Sequence, residues 1–205
     1  MEASMSPSPW KAWGALTLFL SLLGASPANA ASHLWRFNEL FSNGDGTIQF
    51  IEMQECCGAT EELFLQSKWV LARHANHKYT FRSNLTGNTA NKYFLLATQG
   101  FADLPGAPAP DAIIPSGFLP VSGDTLDYWE YPDATRIYGP LPQDGVSALE
   151  VGPGPDGVSG TDDDVYMNAV NSPTNFAGQS GSIDLTVPVR PTTWGGIKAH
   201  AMRLR

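Results

Sequence analysis

Three groups of side chains in this sequence have types and spacings that could do chemistry. The first is a pair of glutamates. In residues 34–55, LWRFNELFSNGDGTIQFIEMQE, two stretches of alternating character flank Asp45-Gly46. A type I′ turn centred there fixes the pairing by distance from the turn, so that Phe41 faces Phe50, Leu40 faces Ile51 and Glu39 faces Glu52. Like charges directly opposite repel. Such a pair calls for a bound cation, a retained proton, or backbone amides and water.

The second group is the loop EVGPGPDGVSGTDDD, residues 150–164, where Asp156, Asp162, Asp163 and Asp164 offer oxygens to a hard cation. Calcium is the expected ion, because it takes several oxygens from one adaptable loop; a solvated acidic surface loop is the plainer alternative. The third group is histidine. A leader cut after Ser32 would leave His33 as the amino terminus, where amine and imidazole chelate copper, with His74 and His77 as further ligands. That gives the rival reading, a copper-binding protein or copper enzyme. Two surface histidines on a loop are the ordinary case.

Other chemistry finds no foothold. Residues 41–52 imitate an EF-hand loop through Asn43, Asp45, Gly46, Ile48 and Glu52, but Phe41 stands at the first ligand position. A retaining glycosidase also needs two close carboxylates, and nothing supplies the sugar cleft. Ser159 and Ser180 lack the strand-to-helix elbow of an activated nucleophile. The two cysteines, Cys56 and Cys57, are adjacent. They suit a vicinal disulfide or buried thiols at a strand end better than a redox or metal pair, which would show Cys-x-x-Cys spacing.

The elements that must position these groups read as strands. Beyond the hairpin, strands are expected at Trp69-Val70-Leu71, residues 77–82, residues 92–98, from Thr125, at residues 135–138 and at residues 182–189. Residues 92–98, KYFLLAT, should be buried on both faces. Residues 100–120 carry Pro105, Pro108, Pro110, Pro115 and Pro120, which deny a ladder its donors, so they form a loop anchored by Phe101, Leu104, Ile113 and Ile114. With 20 Gly and 16 Pro spread along the chain, the expectation is an all-β domain with long Pro/Gly-rich loops.

In this order the signals resemble the lamin tail domain. The likeness rests on Asn38-Glu39-Leu40, Phe50-Ile51-Glu52-Met53, Trp69-Val70-Leu71, Tyr93-Phe94-Leu95-Leu96 and Ser122-Gly123-Asp124-Thr125-Leu126, and covers residues 34 to about 138. It implies an immunoglobulin-like β-sandwich over residues 31–190, with the acidic loop 150–164 as an insertion. It also implies a binding or structural module rather than an enzyme.

The address is read from the start of the chain. Residues 1–30 carry Lys11, an apolar run over residues 12–24 and Ala28-Asn29-Ala30, the pattern of a cleaved signal peptide. No later stretch is apolar enough to cross a membrane, so the expected location is secreted, periplasmic or cell surface. Loss of Glu2 and Lys11 leaves the net charge at −8, which repels phosphate backbones and excludes nucleic acid as an expected partner. An unidentified protein or surface polymer is the partner expected instead. Asn84-Leu85-Thr86 matches a glycosylation acceptor. Residues 191–205 form a basic tail, either a sorting segment or simply disordered.

Overall fold

The computed structural model describes residues 32–155 and 164–186. The leader at residues 1–30, Asp156, Asp162, Asp163 and the tail at 191–205 lie outside them. All described residues belong to one of the two units into which the chain divides, Ala31–Arg205. Among the described residues no helix is long and apolar enough to cross a membrane.

Among the described residues ten strands run in chain order. They are β1 (Trp35–Ser42), β2 (Gln49–Glu55), β3 (Trp69–Ala72), β4 (His77–Thr80), β5 (Tyr93–Ala97), β6 (Ala112–Ile113), β7 (Asp124–Tyr128), β8 (Arg136–Tyr138), β9 (Ser147–Gly152) and β10 (Val165–Val170). A four-residue helix, α1 (Gln99–Ala102), follows β5. The strands form a six-stranded sheet, β10-β9-β1-β2-β5-β6, and a four-stranded sheet, β4-β3-β7-β8. Trp35, Phe37, Leu40, Ile51 and Met53 from the first meet Val70, Ala72, Leu126 and Tyr128 from the second in a shared core. The described residues are therefore nearly all-β, two sheets with a core between them.

The hairpin has the expected register, with Glu39 opposite Glu52 and Phe41 opposite Phe50. Its turn is wider than a type I′ turn. That turn needs positive φ at both central residues, whereas here Gly46 has φ +73° and Asp45 is not among the positive-φ residues. The loop closes instead by Asn43 N–H to Ile48 C=O at 2.9 Å. Side-chain bonds hold it open: Asp45 Oδ1 accepts from Thr47 N at 2.9 Å and Asn43 Oδ1 from Ile48 N at 3.1 Å. The register survives because it depends on distance from the turn's centre.

Several expectations need correction. Strands β9 and β10 were not expected; they pair as an antiparallel hairpin, so Glu150 belongs to a strand rather than to a loop inserted at 150. Residues 182–186 are not a strand. They alternate because Ile183 and Leu185 pack on an apolar cluster, while Ile183 N–H bonds the Asn171 side chain at 2.7 Å instead of a ladder. Ile114 is a buried anchor of the proline-rich loop but Ile113 is exposed, since β6 alternates at the sheet edge.

Both faces of the six-stranded sheet are covered. On the face away from the shared core, Phe41 and Phe50 stack at 5.4 Å with planes 8° apart, and Phe101 of α1 meets Phe50 edge-on at 5.4 Å. Ile183 seals this second cluster. Residues 171–186 thus form a strap over the sheet.

Candidate functional site

Glu39 and Glu52 project from β1 and β2 beneath that strap. Sequence pairing named two carboxylates; the structure adds a third, because β9 places Glu150 opposite Glu39 on its other side. Glu39 is 1% exposed and Glu52 2%, so neither opens to a substrate. Their partners come from the strap. Ser172, Thr174 and Phe176, every second residue, donate backbone N–H groups to Glu39, Glu52 and Asp111 at 2.9, 2.6 and 2.8 Å. Strap and sheet are joined through carboxylates in place of a ladder.

The bulge between Phe37 and Glu39 makes Asn38 an extra residue on β1, and its amide donates to Glu52 at 2.7 Å. Burial, reinforced by the charges of Glu52 and Glu150 and only partly offset by Ser172, pushes Glu39 up to about 8. Burial likewise pushes Glu52 up to about 7 against the hydrogen bonds from Asn38 and Thr174. The like-charge problem is met by amide donors and by protons held to neutral pH.

Among the described residues, three His, Cys, Asp or Glu ligand atoms come within 4.8 Å of one another at Glu55, Cys56 and Cys57. Glu39, Glu52 and Glu150 form no such group. Nor is the first set free for a metal, since Cys56 and Cys57 are joined in a disulfide. Glu55 meanwhile accepts from Cys57, Gly58 and Asn91 N–H groups at 3.0, 2.8 and 2.8 Å. Of the acidic loop, Asp164 is described. It lines a 360 Å³ cleft with Arg36, Arg136 and the disulfide.

The histidines are dispersed among different partners. His33 Nδ1 lies 3.6 Å from Glu62, His74 Nδ1 is 2.6 Å from Asp124 and His77 Nδ1 is 3.0 Å from the Phe118 carbonyl. Among the described residues these three histidines do not come together in one ligand group.

A second surface was not singled out as a site from sequence. On the four-stranded sheet Val70 and Ala72 point inward, so Trp69 and Leu71 point away from the core. Trp129 follows β7, where its N–H bonds the Trp69 carbonyl at 2.8 Å. The two indoles lie 5.9 Å apart at 53°. Lys78 Nζ sits 4.8 Å from the Trp69 ring centroid; Lys68 Nζ is 5.4 Å from Trp129 and 5.7 Å from Tyr131.

Alongside is a 390 Å³ cleft walled by these rings, Arg73, Asp127, Glu130 and Thr135. Arg73 grips Asp127 with two bonds, at 2.8 and 2.5 Å, and Thr135 Oγ1 adds a third at 2.9 Å. Burial works to raise Asp127, but Arg73 and Thr135 outweigh it and hold the carboxyl below its usual range. Trp129 has φ +50°, a backbone state that a bulky residue enters at a cost of about 1–3 kcal/mol. The sequence does carry a signal for this surface: residues 63–102 contain no Asp or Glu but five Lys or Arg, in a chain of net charge −8. Comparison with known protein families, with curated proteins and with solved structures finds no match to this chain.

Proposed function

We propose that this chain is an exported, non-enzymatic binding module, an immunoglobulin-like sandwich of the lamin tail kind, whose contact surface is the outer face of the four-stranded sheet. The observation that carries this reading is Trp129, held in a left-handed conformation beside Trp69, both half-buried on the outer side of the four-stranded sheet. Strain kept at a half-buried aromatic pair beside a cleft is the mark of a working surface. The burial of Glu39 and Glu52 supports the non-enzymatic part, because a glycosidase pair must reach its substrate from both sides.

Calcium enters as a stabiliser of the connection between β9 and β10, through Asp156, Asp162, Asp163 and Asp164. Copper at an amino-terminal His33 gains no support from the positions of His74 and His77.

The test is adsorption of the exported chain to surface material from the cells that produce it. Wild-type protein sediments with that material and Trp69→Ala stays in the supernatant. Equal sedimentation of the two overturns the assignment of the face. The intact mass of the same sample reports whether the chain begins at Ala31.

A further inference from the structure

We propose that the outer face of the four-stranded sheet binds an acidic polysaccharide, whose sugar rings lie on Trp69 and Trp129 while Lys68 and Lys78 meet its carboxylates. This rests on the reading of that face as the contact surface and names the chemistry of what it contacts.

The rings set the first requirement. An indole face is electron-rich, and the C–H face of a sugar ring carries the complementary partial charge, so the two stack while the hydroxyls stay at the edge. Two indoles 5.9 Å apart and tilted by 53° suit a twisted chain of successive sugars better than one flat molecule. The cleft beside them supplies the polar edge. Arg73, which keeps N–H groups beyond the two given to Asp127, offers donors, and Asp127 and Glu130 offer acceptors within the same 390 Å³, the mixture that hydroxyl groups need.

Charge sets the second requirement. Lys68 and Lys78 lie over aromatic rings, and among the described residues neither forms an ion pair with a carboxylate. They flank the stacking surface, in the segment of residues 63–102 that lacks Asp and Glu altogether. A polymer with a carboxylate on each sugar supplies the missing partners where its rings would stack. The net charge of −8 weighs most against a polyanion as dense in charge as duplex nucleic acid, at one charge per about 1.7 Å, so the acidic glycan is favoured over it.

The experiment uses the exported chain and three probes: polygalacturonate, hydroxyethylcellulose and oligo(dT), with binding followed by affinity electrophoresis and tryptophan fluorescence. Polygalacturonate retards the wild-type protein and shifts its emission, and salt weakens the binding. Trp69→Ala weakens it by about tenfold or more, and Lys68→Ala/Lys78→Ala by a similar factor with most of the salt dependence lost. Circular dichroism of both variants stays as in wild type and melting falls by no more than about 2–4 °C, so a folding defect is separable.

Equal binding by Trp69→Ala, or tighter binding to hydroxyethylcellulose or to oligo(dT), overturns the proposal. If polygalacturonate fails while Trp69-dependent adsorption to cell-surface material persists, the contact face stands and only the ligand class falls. If both fail, both readings fall.

Discussion

Glu39 and Trp69 occupy comparable places, each on an inner strand of its sheet and each pointing away from the shared core. Their surroundings are opposite. Over Glu39 lies a strap whose N–H groups meet the carboxylates one by one, and beneath it three phenylalanines close an apolar cluster. Over the half-buried Trp69 ring lies Lys78. Charge on the first face is buried and satisfied from within the chain, so it contributes to architecture. Charge on the second face is left beside half-buried rings, with no carboxylate of the described residues paired to Lys68 or Lys78.

Aromatic truncation on each face sharpens the contrast most. Phe50→Ala removes the ring at the centre of the covered cluster and costs about 3–5 kcal/mol by urea unfolding. Trp69→Ala removes a larger ring from the open face and costs under about 1 kcal/mol. Comparable losses would mean that the open face is a second core, and the distinction between the faces would collapse.

The strap is tested at Asn171, which is 1% exposed. Its Nδ2 donates to the Val146 and Ile183 carbonyls at 2.5 and 2.7 Å, and its Oδ1 accepts from Ile183 N at 2.7 Å. Asn171→Ala leaves the Ile183 N–H and carbonyl unpaired, while the Val146 carbonyl keeps the backbone N–H of residue 171 at 3.0 Å, and costs about 2–4 kcal/mol. A cost near zero would show that the strap is held by Ile183 packing alone. Amide exchange at Ser172 and Thr174 reads the same loosening, and should quicken in this variant and not in Trp69→Ala.

Proton linkage comes next in size. Glu39 rises from 4.5 to about 8 and Glu52 from 4.5 to about 7 on folding, so the folded state holds more protons than the unfolded chain in between. Their stabilisation is complete below the unfolded value and is lost as pH rises through the folded ones. Asp111, also raised by burial, acts with the same sign. Asp124 lies outside the window: burial works to raise it, but the N–H groups of His74, Thr125 and Ala75 bring it down to about 2. Melting temperature should therefore fall from about pH 5 to about pH 8. Glu39→Gln should flatten that fall and gain roughly 1–3 kcal/mol at the upper end. A profile unchanged by the substitution would place the proton elsewhere.

How much of this was legible follows from the range of each interaction. The Glu39/Glu52 pairing could be counted from a turn a few residues away, and it held although the turn type did not, because both turns share a centre. The partners of that pair could not be counted. Ser172 stands 133 positions from Glu39, and Thr174 stands 122 from Glu52. Residues 171–176, NSPTNF, have no periodicity because they follow carboxylates rather than a neighbouring strand. Glu150 was hidden for a related reason: β9 follows a Pro- and Gly-rich stretch that reads as turns. On the open face Trp69 was visible as a strand residue, but its meeting with Trp129 depends on a left-handed backbone that no propensity announces.

The smallest effect concerns the acidic connection, which hangs from the β9–β10 edge of the covered sheet. If it takes up calcium with the millimolar affinity common outside cells, two millimolar calcium stabilises by RT ln(1 + [Ca]/Kd), about 0.6 kcal/mol. For a domain of this size that is a rise of about 1–3 °C in melting temperature, reversed by chelator. Asp162→Asn/Asp163→Asn should abolish the shift, while Trp69→Ala leaves it intact, which assigns the ion to the structural side of the molecule. A calcium response that disappears in Trp69→Ala instead would place the ion on the open face and tie it to binding. No response in the wild-type chain would remove calcium from the account and leave the strap's amides and the protons on Glu39 and Glu52 to hold the covered face.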